Sequence, residues 1–159
     1  ELSQDPDSES PAPNATTLEN LSKPLEQLSR FIEALPDVYP VDLRSLYGFG
    51  FSQGGGLIST LALRRPELFS GFALLSSFVP GVILKEQQGR FFDALPDVFI
   101  SHGTKDKVIP IEKAEQSRDA LEGMGAEVSF HSDDVAHKIS TSGIRELRTW
   151  VEARVPACS

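Results

Sequence analysis

Cysteine occurs once in the 159 residues, at Cys158, which excludes an intramolecular disulfide and a cysteine-ligated metal cluster. That scarcity fits a reducing, cytoplasmic setting. Positive charge is also short: 15 Lys and Arg stand against 23 Asp and Glu, a formal net charge of −8. With no Lys/Arg cluster there is no footprint for nucleic acid or an anionic membrane surface. The charge-free stretches 45–63 and 68–84 are broken by Gly54-Gly55-Gly56 and by Pro80-Gly81, so no integral membrane segment is expected. A basic n-region with an apolar core is missing at the N-terminus, and no signal peptide is expected. No His/Cys/Asp/Glu spacing suggests a metal, and no G-x-G-x-x-G or Walker-type loop occurs, so neither metal nor cofactor is expected.

The length favours one domain with a real core. Residues 1–15 carry four acids, three prolines and no basic residue, and read as a loose acidic tail. The domain proper is expected over 16–159. From Leu18, apolar residues recur at Leu21, Leu25, Leu28, Ile32 and Leu35, one stripe along a helix. Thr16 and Glu19 form a capping-box pattern, and Pro24 should kink this helix or mark a later start. After Pro40 the pattern becomes strand–helix alternation. Strands are expected at 43–51, 69–75, 97–101 and 127–131, and helices at 54–64, 111–124 and around Ile144, Leu147, Val151 and Val155. This is the α/β class with a parallel sheet of about four strands and helices on both faces. Sites in such sheets collect at the carboxyl ends of the strands.

Gly50-Phe51-Ser52-Gln53-Gly54 is G-x-S-x-G between a predicted strand and a predicted helix, the context that gives the motif mechanical meaning. Glycine two residues either side of Ser52 would relieve the crowding of a sharp turn. Ser52 would then stand exposed at a helix N-terminus, with the Gln53 N–H facing a developing oxyanion. The bland alternative is a serine that merely caps the helix. A serine nucleophile needs a base, and the base needs a partner to fix its tautomer. Of the three histidines, His131 falls inside a predicted strand and His102 at the end of another. His137, in the loop after the last strand, is the expected base. Asp106 is the expected acid, because Ser52, Asp106, His137 follow the chain order nucleophile, acid, base. Asp133 and Asp134 are runners-up, more naturally solvated turn acids. Phe51, Phe78, Val79, Val82, Ile83 and Leu84 are candidates for acyl contacts or, equally, for core packing.

Gly48-Phe49-Gly50-Phe51-Ser52-Gln53-Gly54-Gly55, then 74–80 (Leu-Leu-Ser-Ser-Phe-Val-Pro), 102–110 (His-Gly-Thr-Lys-Asp-Lys-Val-Ile-Pro) and Ala136-His137 together resemble the carboxylesterase/phospholipase family of α/β-hydrolases, which includes acyl-protein thioesterases. The resemblance runs in register from about Leu18 to Val151. It implies a Ser52–His137–Asp106 triad, an oxyanion amide from Gln53, and an acyl ester or thioester, lipid or acylated protein as substrate. Two departures stand out. Ala136 replaces a frequent glycine before the histidine, and the family's N-terminal strands, with their H-G-x-G loop, have no counterpart before Glu1. On that reading the chain is an N-terminally truncated hydrolase fold whose apolar first strand lies open as an edge. The alternative to a working hydrolase is then a weakly active or non-catalytic fragment that needs an N-terminal complementary segment, another chain or a second copy.

Overall fold

The computed structural model describes residues 16–90, 92 and 94–155, the first five of them by backbone alone. The expected acidic tail at 1–15, the side chains of the Thr16/Glu19 capping box and Cys158 lie outside what is described. Five helices and four strands follow in the order α1 (Thr16–Val38), β1 (Tyr47–Phe51), α2 (Gln53–Arg64), β2 (Gly71–Leu75), α3 (Gly81–Gln87), β3 (Asp97–Gly103), α4 (Ile111–Gly123), β4 (Val128–Asp133) and α5 (Thr141–Glu152). The strands form one parallel sheet in the order β1-β2-β3-β4. Each strand after the first is reached through a helical crossover, as the alternating pattern implies.

Period-two alternation divides the sheet into two cores. Phe72, Leu74, Val98 and Ile100 face Leu25 and Ile32 of α1, Leu61 and Leu63 of α2, and Ala114 and Leu121 of α4. Ala73, Leu75 and Phe99 point the other way, onto Trp150 of α5. Arg154 fastens that second layer: its Nε donates to Asp97 Oδ2 over 2.8 Å, and its guanidinium lies 4.6 Å from the Trp150 ring centre.

Several boundaries differ from the sequence expectation. Helix α1 runs through Pro24 without a later start. Residues Leu43–Ser45 form a 3-10 turn, capped by Asp42 accepting from the Arg44 N–H, so β1 begins only at Tyr47. Helix α3 was not anticipated, since it is short and follows Pro80-Gly81. In α5 the buried positions are Gly143 and Trp150, with Leu147 and Val151 packed against the Trp150 cluster, whereas Ile144 is exposed and Val155, also exposed, lies past the helix end at Glu152. Strands β3 and β4 each run two residues past the expected ends. Their carboxyl ends therefore reach Gly103 and Asp133, and the loops that follow rise from there.

Candidate active site

Ser52 sits between β1 and α2 at φ 53°, ψ −121°, a region that residues with a side chain rarely occupy and that surrounding structure must hold. The hold is visible in the main chain. The Ser52 N–H donates to Leu75 C=O over 3.0 Å, and the Ser52 C=O accepts from Gly55 N–H over 3.1 Å. A Cβ on Gly50 would overlap the Gly54 carbonyl, whereas one on Gly54 would meet nothing. The crowding that the motif relieves is thus on the strand side of the serine alone. Ser52 makes no side-chain capping bond to α2, so the capping alternative fails. Its Oγ lies instead 3.1 Å from Nε2 of His137.

The His137 ring comes from the loop between β4 and α5, and its Nδ1 lies 2.7 Å from Oδ2 of Asp106. Asp106 follows β3 and its side chain is fully buried. Burial works against its charge, but the Ile109 N–H, His137 and the Val108 N–H outweigh it and hold the carboxyl below its ordinary value. Both amides donate to Oδ1 over 2.9 Å, which leaves Oδ2 for the imidazole. An ionised carboxylate can only accept, so Nδ1 of His137 carries the proton. The other ring nitrogen, Nε2, faces the Ser52 hydroxyl. The structure thus brings together the three residues expected from chain order, from the ends of β1, β3 and β4.

The loops that carry Asp106 and His137 are laced to each other. Thr104 N–H donates to Asp133 C=O over 2.8 Å and Lys105 N–H to Val135 C=O over 3.0 Å. Gly103 lies so close beneath the base loop that a Cβ there would overlap the carbonyl oxygens of Val135 and Ala136. Any side chain at 103 would force one of the two loops to shift. His102, near the end of β3, is buried behind Asp106: its Nε2–H donates to the Ile109 C=O over 2.8 Å and stands 3.5 Å from Asp106 Oδ2. It supports the turn whose amides hold Asp106 and does not approach Ser52.

The runner-up acids have other partners. Asp134 pairs with Lys105 Nζ at 2.7 Å on the surface. Asp133, at the end of β4, accepts from the hydroxyls of Ser140 and Ser142 and lies 2.7 Å from His131 Nε2. The hydroxyls of Ser140 and Ser142 lower its pKa most, and with His131 they bring it to about 2, against an ordinary 3.8. Ser140 also caps α5 through the Gly143 N–H, so Asp133 ties together the two ends of the loop that carries His137. A carboxylate with a depressed pKa contributes stability above its unfolded pKa and loses it as pH falls through the folded one. Asp133→Asn is therefore expected to lower the unfolding midpoint at pH 7, with the gap to wild type narrowing between pH 4 and pH 2. A gap that stays constant over that range would contradict this.

The acyl-contact candidates divide. Val79 is 2% exposed and Ile83 0%, and Leu84 is partly buried against the same core; for these three burial favours the core-packing reading, with α3 turning Ile83 inward. Phe51 and Val82 remain exposed and Phe78 half-buried. The Phe51 ring centre lies 5.0 Å from that of His137. A cavity of about 540 Å³, lined by Pro66, Phe69, Arg90 and Phe92 among others, lies by the amino ends of β2 and β3, away from Ser52.

Residues 10–155 match the phospholipase/carboxylesterase family. The chain belongs to that family. Carboxylesterase SOBER1 of Arabidopsis thaliana is 27% identical over 111 residues, covering 69% of this chain and 49% of that protein. Acyl-protein thioesterase 1 of Mycosarcoma maydis is 28% identical over 150 residues, covering 86% and 62%. Among solved structures, esterase PE8 superposes with a TM-score of 0.76 at 21% identity, over 87% of this chain and 64% of that one. The Bacillus cereus carboxylesterase gives 0.72 at 21% identity, over 87% and 63%. These likenesses establish the α/β-hydrolase fold. The chain spans about half the length of the Arabidopsis and rice relatives it matches. Among the described residues no helix is long and apolar enough to cross a membrane.

Proposed function

We propose that this member of the phospholipase/carboxylesterase family is a serine hydrolase that cleaves carboxylic esters or thioesters through an acyl-enzyme. The observation that carries the reading is the continuous line Ser52 Oγ, His137 Nε2, His137 Nδ1, Asp106 Oδ2, with contacts of 3.1 and 2.7 Å. His137 takes the hydroxyl proton as Ser52 Oγ attacks the acyl carbon, and Asp106 stabilises the imidazolium that forms. The tetrahedral oxyanion meets the Gln53 N–H at the start of α2, an amide with no intrahelical acceptor. Collapse expels the alcohol or thiol, protonated by His137. Water then adds to the acyl group with His137 again as base, and the acid leaves. Phe51, beside His137, and the exposed Val82 and half-buried Phe78 are the candidates for contact with an acyl chain. A lipid and an acylated protein both present such a group, and the relatives named carboxylesterase and acyl-protein thioesterase support the bond class.

A panel of chromogenic esters and acyl thioesters of increasing chain length tests this. The expected result is a burst of one leaving group per chain followed by steady turnover, the signature of an acyl-enzyme. Turnover with no burst at any chain length, and no trapped acyl adduct, would contradict the mechanism.

One observation favours a second reading, the complemented fragment. Among the described residues β1 pairs on its inner side alone, and Phe49 and Phe51 are 48% and 44% exposed beside that open edge. A strand from elsewhere in the protein or from another chain would pair there, and its adjoining loop would supply a second oxyanion amide. Size-exclusion chromatography separates the readings: an active monomer supports the first, and an inactive chain that gains activity on adding the relatives' N-terminal segment supports the second.

A further inference from the structure

Ser76 and Ser77, at the end of β2, enter none of the steps above. Both are buried, at 0% and 1% exposure, where a hydroxyl without a partner would be costly. Ser77 Oγ donates to the main-chain carbonyl of Ser52 over 2.6 Å. Ser76 Oγ donates to the carbonyl of Lys138, the residue after His137, over 3.3 Å. Neighbouring hydroxyls thus grip the nucleophile turn on one side and the base loop on the other. Ser76 also holds φ 45°, and with Ser52 it completes the non-glycine residues at positive φ among those described. Its N–H is fixed to Ser101 C=O over 2.8 Å, so the strained turn is anchored on β3 as well. Such backbone persists only where several contacts determine it together.

We propose that Ser76 and Ser77 are positioning residues, a two-hydroxyl clamp that sets the distance from Ser52 Oγ to His137 Nε2 from the middle of the sheet. The proposal rests on Ser52 as nucleophile and His137 as base. Ser77 fixes the peptide that carries the nucleophile, and Ser76 fixes the chain leaving the base. Proton transfer is sensitive to small misplacements of this pair, so the hydroxyls act on rate more than on fold.

The test uses Ser76→Gly, which removes the hydroxyl while accepting φ 45° without strain, together with Ser77→Ala and the double variant in the full chain. Two quantities are read: the rate of labelling by a fluorophosphonate, followed by intact mass, and the ring nitrogen shifts of His137 in 15N NMR. Each single variant is expected to label about tenfold more slowly, the scale of one lost hydrogen bond, with circular dichroism unchanged. Ser76→Gly also moves the His137 ring shifts, and Ser77→Ala leaves them in place. Labelling within twofold of wild type in both folded variants would overturn the clamp, and slowed labelling with unmoved ring shifts in Ser76→Gly would overturn the part assigned to Ser76. If the folded wild type takes no label, the nucleophile reading fails and with it the clamp's effect on rate, while the ring shifts in Ser76→Gly decide the positional part alone: moved shifts support Ser76 as the hold on the His137 loop and unmoved shifts overturn it.

Discussion

Ser52→Ala is expected to reduce ester and thioester turnover to background while leaving the fold intact. The hydroxyl makes no capping bond to α2, and its contact is with His137 at 3.1 Å, so its loss leaves no buried group stranded. Alanine keeps the Cβ and therefore the demands of φ 53°, and circular dichroism and the unfolding midpoint should follow wild type closely. Turnover within tenfold of wild type in the folded variant would mean that another group attacks the acyl carbon.

Asp106→Asn should slow acylation by roughly four orders of magnitude, the scale of the same change in a serine triad. The reason lies in which oxygen is already committed. The Val108 and Ile109 amides both donate to Oδ1, so the carboxamide oxygen of an asparagine must take that side and its NH2 must face His137. A donor there reverses the tautomer: Nδ1 becomes the acceptor, and Nε2–H points at Ser52 with no lone pair to receive its proton. Single-turnover acylation measured against wild type checks this, with circular dichroism as the control for folding. A loss smaller than tenfold would show that Asp106 does not set the state of the base.

What could be read from the sequence was what is local or ordered along the chain. The turn at Ser52 is a contiguous motif, and its Gly50 is needed because Gly54, four residues away, approaches it. Asp106 and His137 could be placed because each follows a strand by a few residues, and strand ends in a parallel sheet converge. The supporting shell was not legible. His102 behind Asp106, Asp133 across the base loop, and Ser76 and Ser77 between the two loops act through contacts as long as 62 residues in sequence, with no periodicity to announce them. Val79 and Ile83 were open to two readings because apolar residues near strand ends serve a pocket or a core equally well. The turn of α3 directs Ile83 inward and Val82 outward, and Val79 is buried ahead of it with its N–H on Ser117 Oγ.

The most direct test of the central claim is intact-mass analysis after treatment with a fluorophosphonate, followed by mapping of the modified peptide. The probe reacts where a serine is activated and its oxyanion supported, so no substrate need be assumed. The account predicts one adduct per chain, carried by Ser52. No adduct on the folded protein, or an adduct on another residue, would contradict it.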